Sequence, residues 1–397
     1  MLQSKYELAD ELNLNVKARN AGEIADCTHE NQHRATFAAS ETAASETETS
    51  ETVASTTSKI ATSADPASAT SAIHRRTGYG ETCAKVILFG EHSVVYGYSA
   101  IALPLKNLRM RATVTGCDLS GDETFIPLNS DSRITLSCLD FNGKLSKVPP
   151  RFSSVRTAIH AALEFAGHVG DSLHVATESN FPPERGLGSS AASAGAVIRA
   201  ILDYYKISAS ENEIFELTQS AERVAHGRPS GLDATATSAS WPVRFSSGEF
   251  SRMEINMRAW LILADSGYKG MTRVTVDALR SRMDAQPDAV KNQLDELGAI
   301  ANQAAEDLAL GRAADMGARM TRAHRILADL GISTPQLDEL VRTARDHCAL
   351  GAKLTGGGGG GCVIALADTE DAAEQVSTAL RAAGARGTWI VDLSAQA

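Results

Sequence analysis

PPERGLGSSAAS, residues 182–193, is the stretch from which the fold is read. Gly186 and Gly188 remove the Cβ atoms that would keep a ligand away from the backbone. A helical pattern then opens at Ser189 and runs to Tyr205, with Ala192, Ala196, Val197, Ala200, Ile201 and Tyr204 on one face. The first N–H groups of such a helix, and its dipole, favour an anion. The small residues Ala191, Ala192, Ser193, Ala194 and Gly195 let the helix pack closely against its neighbours. No Gly-Lys-Ser/Thr follows, so this is not a Walker A loop, and it is not the dinucleotide fingerprint. Taken alone, the string also suits a plain glycine turn with a serine N-cap.

Three further strings lie outward from it. KVILFGEHSVVYG (85–97) is a buried-strand run, Val86 to Phe89, that ends in a glycine turn with Glu91 and His92 at its lip. That is a usual place for reactive groups, although a surface turn reads equally well. HGRPSGLD (226–233) follows a helix that opens with Ser210 and Glu213, a capping box, and carries Glu222 near its end. Glu222 and His226 stand at i, i+4, the spacing of a metal pair. A hard cation such as Mg²⁺ prefers oxygen, which selects Glu222 and leaves His226 as a structural hydrogen-bonder. Asp233 follows a Pro-Ser-Gly turn, where a lone Asp is usually a cap or turn former. KLTGGGGGGC (353–362) sets six glycines between two short strands. Glycine costs up to ~1 kcal/mol relative to alanine inside an element. Something must therefore approach that backbone, or the loop must move; a linker is an unsuitable reading between core strands.

The wider chain bounds these readings. Its 397 residues are 43% hydrophobic with a formal charge of −10, enough for two domains at roughly 150 residues each. Residues 1–73 carry about 11 acidic and 5 basic side chains, leaving the body near −4. That charge gives no basic footprint for nucleic acid or an anionic membrane. The six cysteines form no C-x-x-C pair, which argues against structural zinc and a disulfide framework and suits a reducing cytoplasm. No apolar run approaches the ~18 residues of a membrane span, and no secretory signal is recognisable. Residues 35–71, rich in Ser, Thr, Ala and Glu, cannot offset the entropy of ordering and are read as disordered. Residues 1–20 fit either a short amphipathic helix or an unstructured leader. Further strands are expected at 110–115 and 134–139. The last third reads as strand (260–264), helices (273–349), strand (362–366), helix (369–384) and strand (389–393). That order suits a split βαβ, ferredoxin-like unit.

In this order and spacing the four strings resemble the GHMP family of small-molecule kinases, named for its galacto-, homoserine, mevalonate and phosphomevalonate kinases. The resemblance runs from about Cys83 to the C-terminus. Within the family, Lys85 ahead of Gly90-Glu91-His92 and Val94-Val95-Tyr96-Gly97 is similar to members that phosphorylate mevalonate. Galactokinases set their Gly-Glu-His in an Asn-rich context, phosphomevalonate kinases tend to have Gly-Glu-Tyr, and homoserine kinases lack the triplet. The chain departs from animal members at Tyr96, where they place a second His, and at Gly357, where an Ala is usual. Neither position is expected to carry chemistry.

The resemblance implies an α+β fold of two domains behind a tail at 1–76. An N-terminal α+β domain (77–250) would hold the glycine phosphate loop, a ferredoxin-like C-terminal domain (251–397) the glycine run, and the cleft between them the active site. Pro183, Gly186, Leu187, Gly188, Ser189, Ser190, Ala191 and Ala192 would bind ATP. Ser190 and Glu222 would hold Mg²⁺. Asp233 would orient the substrate hydroxyl and accept its proton, with Lys85 beside it. Glu91, His92 and Thr272 would hold the substrate, and Gly356, Gly357, Gly358 and Gly359 would approach the reacting centre. The implied activity is ATP-dependent phosphorylation of the primary hydroxyl of mevalonate to 5-phosphomevalonate and ADP, on the route to isoprenoids, in the cytoplasm. A homodimer is compatible with it. The alternatives are a phosphomevalonate or sugar kinase of the same family and a catalytically silent GHMP-fold sensor. A sensor should have lost the metal ligand or the base, yet Lys85, Ser190, Glu222 and Asp233 are all present.

Overall fold

A computed structural model describes residues 76–117, 130–226, 229–246 and 249–396. The tail to residue 75, with both readings of residues 1–20, lies outside the described residues, and so does the side chain of His226.

Strand β1 (Thr77–Phe89) is much longer than the apolar run at its end. Its first half alternates buried and exposed residues, and Gly78 and Gly80 lower its strand propensity without preventing pairing. A Cβ at Gly80 would overlap the Ala196 carbonyl, so the small residues of the helix that opens at Ser189 sit directly on the strand. β2 (Ala100–Gly116) pairs antiparallel along all of β1, from Thr77 opposite Thr115 to Phe89 opposite Ile101. The other edge of β2 takes β5 (Leu173–Ser179) and β6 (Val243–Ser246). β3 (Ile134–Cys138) runs parallel to β5, and β4 (Phe141–Lys144) and β7 (Glu249–Arg252) complete a seven-stranded sheet. The strand expected to reach residue 139 stops at Cys138, because Leu139 has φ +54°.

Helices α1 (Ser153–Ala166), α2 (Ser189–Tyr205), α3 (Glu211–His226) and α4 (Leu232–Ser238) belong to this half. α2 has the bounds its periodicity implied. α3 opens with the capping box, Ser210 N–H donating to Glu213 at 2.7 Å and Glu213 N–H returning to Ser210 Oγ at 3.3 Å. α4 was not expected from sequence: Asp233, which follows the Pro-Ser-Gly turn, lies in the first turn of a short helix. A small apolar cluster of Ile87, Val94, Leu232, Ala236 and Phe245 anchors α4 to the sheet. Burying Leu232 alone contributes about 1.5–3 kcal/mol.

The second sheet has the order β11-β8-β10-β9, all antiparallel, from β8 (Trp260–Asp265), β9 (Gly351–Thr355), β10 (Cys362–Ala367) and β11 (Gly387–Asp392). The helical span after β8 resolves into α5 (Thr272–Ala285), α6 (Pro287–Leu310), α7 (Ala313–Asp329) and α8 (Pro335–Asp346), and α9 (Glu370–Ala382) joins β10 to β11. This is the split βαβ order expected from sequence. One hydrophobic core contains Leu88 and Ile101 of the first sheet as well as Leu263 and Ile364 of the second. The two sheets are therefore packed as parts of one compact body.

Candidate active site

The glycine loop lies against β1. Lys85 N–H donates to the Leu187 carbonyl at 3.0 Å, and Lys85 Nζ donates to the Gly186 carbonyl at 3.2 Å. The lysine stem then passes over Gly188, where a Cβ would fall 2.9 Å from Lys85 Cγ. Nζ reaches Asp233 Oδ1, 3.0 Å away. Lys85 is 2% exposed and the Asp233 side chain 40%, so a buried cation backs a carboxylate that opens to solvent.

At the start of α2 no side chain caps the helix, and its N-cap Gly188 has φ +72°. Leu187, Ala191 and Ala192 bury their side chains completely, so they can offer a ligand only backbone. Pro183 precedes the turn at Glu184, whose N–H donates to Ser189 Oγ at 3.2 Å. Ser190 Oγ donates to Glu222 Oε1 at 2.6 Å, and Ser154 donates to the same oxygen at 3.3 Å. Ser190 and Glu222 are thus brought together as two hard oxygen donors, the type that suits Mg²⁺. Among the described residues no group of three or more His, Cys, Asp or Glu could hold a metal ion. Mg²⁺ fits such a sparse set because it commonly keeps waters and takes further oxygens from substrate phosphates.

The second sheet contributes the glycine run. A Cβ on Gly356 would fall 2.9 Å from Gly186 Cα, so the two glycine loops touch. Of the two sequence expectations for the run, close approach is the one realised. Gly357 carries His92 and Thr272: its carbonyl accepts from His92 Nε2–H at 3.0 Å, and a Cβ there would overlap Thr272 Oγ1. Burial holds the His92 pKa below the usual imidazole value, while the bond to Gly357 opposes that shift. The Gly358 carbonyl accepts from Met271 N–H and Gly359 N–H donates to the Ile332 carbonyl, each at 2.9 Å, tying the run to the start of α5 and to the loop between α7 and α8.

Glu91, the residue before His92, is held in the interior. It is 2% exposed and forms an ion pair with Lys353, which is 0% exposed. Desolvation pushes the carboxyl up and the ammonium down, and their mutual attraction offsets part of each shift. Lys353 escaped notice in the sequence although it stands in the quoted KLTGGGGGGC string. Thr275 was also missed: its hydroxyl donates to the Gly357 carbonyl at 2.6 Å. So was Arg185, which joins the phosphate-loop string to Asp265 at 2.8 Å.

A seven-stranded α+β half carrying an uncapped glycine loop, joined to a ferredoxin-like half carrying a glycine run, defines a small-molecule kinase architecture. Two family descriptions match the chain: the GHMP kinases N terminal domain at residues 154–240 and the GHMP kinases C terminal at 304–386. The mevalonate kinase of Pyrococcus furiosus is 34% identical over 323 residues, covering 76% of this chain and 92% of that one. That of Methanocaldococcus jannaschii is 29% identical over 303 residues, covering 73% and 92%. Among solved structures, L. major mevalonate kinase in complex with R-mevalonate superposes with a TM-score of 0.67 at 25% identity, covering 80% of this chain and 96% of that one. The mevalonate kinase of Staphylococcus aureus gives 0.60 at 26%, covering 80% and 99%. The chain belongs to the mevalonate kinase family of the GHMP kinases.

Proposed function

We propose that this chain transfers the γ-phosphoryl group of ATP to the primary hydroxyl of mevalonate, giving 5-phosphomevalonate and ADP. The observation that carries the reading is the Lys85–Asp233 pair, 3.0 Å apart, beside the uncapped start of α2. Phosphoryl transfer asks a protein for positioning and charge stabilisation more than for covalent chemistry. Asp233 accepts the proton of the substrate hydroxyl. That oxygen forms a bond to the γ-phosphorus as the bond to the β-phosphate oxygen breaks, and ADP leaves with its electron pair. Lys85 stabilises charge on the transferring group. The backbone of Gly186 to Ala192 receives the phosphates. Ser190 and Glu222 would hold Mg²⁺, which when bound neutralises phosphate charge. His92 and Thr272, meeting at Gly357, line the acceptor side, and Gly356 to Gly359 close the site from the second sheet.

No helix among the described residues is long and apolar enough to cross a membrane. The free thiols Cys83, Cys117, Cys138, Cys348 and Cys362 and the need for ATP suit action in the cytoplasm. A coupled assay of ADP release with mevalonate, phosphomevalonate, galactose and homoserine tests the reading. Mevalonate alone should support turnover; turnover with another acceptor and not with mevalonate would refute it.

A further inference from the structure

The strand entering the glycine run is held from outside its own sheet at every residue from 353 to 357. Lys353 pairs with Glu91, and Leu354 N–H donates to His324 Nδ1 at 3.3 Å. Thr355 Oγ1 donates to the Ile87 carbonyl at 2.9 Å. Gly356 meets Gly186, and the Gly357 carbonyl accepts from His92 and Thr275. Of these contacts, the Glu91–Lys353 pair is the most costly to build. A buried ion pair does not by itself stabilise a fold relative to apolar side chains of equal volume. What it supplies is direction, and Lys353 Nζ also donates to the Leu354 carbonyl at 2.8 Å.

That direction acts on a strained neighbour. His92, next to Glu91, has φ +60° and ψ −45°, a sparsely populated backbone conformation that a residue with a side chain keeps only when its surroundings hold it. Glu91 also feels the charge of Lys85. The ion pairs Asp233–Lys85 and Glu91–Lys353 thus lie at the open cleft and at the buried seam between the sheets.

We propose that Glu91 and Lys353 are positioning residues for the transfer: their ion pair holds the His92 turn against the glycine run and so sets where His92 stands relative to Lys85 and Asp233. This rests on reading Lys85 and Asp233 as the reacting pair. Misplacement by about 1 Å is enough to lower a rate about 10²-fold.

The test uses the full chain. Lys353→Met should lower kcat about 10²-fold while KM for ATP stays near its wild-type value, because the phosphate loop is untouched. The double variant E91Q/K353M leaves no buried charge unpaired, so its Tm should recover while its kcat stays low. Recovery of kcat together with Tm would reduce the pair to filler and overturn the proposal. Should Lys353→Met not fold, the double variant carries the same comparison. ¹⁵N-histidine NMR adds a readout independent of turnover. The hydrogen-bonded Nε2–H signal of His92 should shift or broaden in the variants, and an unchanged signal would also overturn the proposal. If the wild type fails to phosphorylate mevalonate, the functional reading falls, yet the NMR comparison still decides the positioning claim.

Discussion

Gly186 and Gly356 come from opposite sheets, and a Cβ built on Gly356 falls 2.9 Å from Gly186 Cα and 3.2 Å from its carbonyl oxygen. Both glycines have positive φ, +78° and +80°. The phosphate loop and the glycine run are therefore in backbone contact: a side chain on Gly356 would force Gly186 to move, and one on Gly186 would sit tightly, 3.2 Å from the Thr355 carbonyl oxygen and 3.4 Å from Gly356 Cα.

Gly356→Ala should destabilise the protein by about 1–3 kcal/mol, from the left-handed backbone and the backbone overlap together. Urea denaturation measures it. A variant as stable as wild type would mean that the loops are not in contact in solution.

How far the site could be read from sequence depended on the range of the signal. Helix α2 was legible to the residue because the periodicity of Ala192, Ala196, Ala200 and Tyr204 is local. The glycine run was legible as a point of close approach because six glycines are hard to account for otherwise. Lys353 was not legible, since a lysine in a short strand reads as solvent-facing and its burial depends on Glu91, 262 residues away. Helix α4 was hidden for a different reason. Its seven residues are too few to show a period, and Pro229-Ser230-Gly231 ahead of it reads as a turn. The early part of β1 was obscured by Gly78 and Gly80, whose absent side chains serve α2 and not the strand.

Glu222→Gln keeps the shape of the side chain and an oxygen for Ser190 and Ser154, and removes the charge. The fold should survive. Apparent Mg²⁺ affinity in the presence of nucleotide should fall by at least about 10-fold, read by calorimetry of nucleotide binding with and without Mg²⁺. Equal Mg²⁺ dependence in the two proteins would remove Glu222 from the metal site.

Stability should decline on mild acidification through His92 and His324. Burial is the leading cause that lowers both pKa values. His324 Nδ1 accepts from Leu354 N–H while Nε2–H donates to Asp338 at 3.1 Å, an arrangement that requires the neutral ring. A histidine with a depressed folded pKa binds fewer protons folded than unfolded. Its contribution is complete above the unfolded value of about 6.5 and is lost as pH falls through the folded one. Tm should therefore drop between about pH 7.5 and about pH 5.5, and His324→Gln should flatten that slope. An identical slope in the variant would exclude His324 as a contributor.

Asp233→Asn separates the chemical account from a structural one. Asp233 sits in the first turn of α4, where a carboxylate also gains about 0.3–1 kcal/mol from the helix dipole. If that were its whole task, asparagine would lower Tm slightly and leave turnover nearly intact. The structure gives it a partner that capping does not need: Lys85, 2% exposed, reaching over Gly188 to within 3.0 Å. An amide cannot take the hydroxyl proton, and it leaves the lysine without its counter-charge. The variant should therefore lose about 10²–10⁴-fold in kcat while binding ATP and mevalonate with near-wild-type affinity in calorimetry. Near-normal kcat in the folded variant would remove Asp233 from the mechanism. Weakened binding with unchanged kcat would instead make Asp233 a substrate-holding group, with the proton leaving by another route.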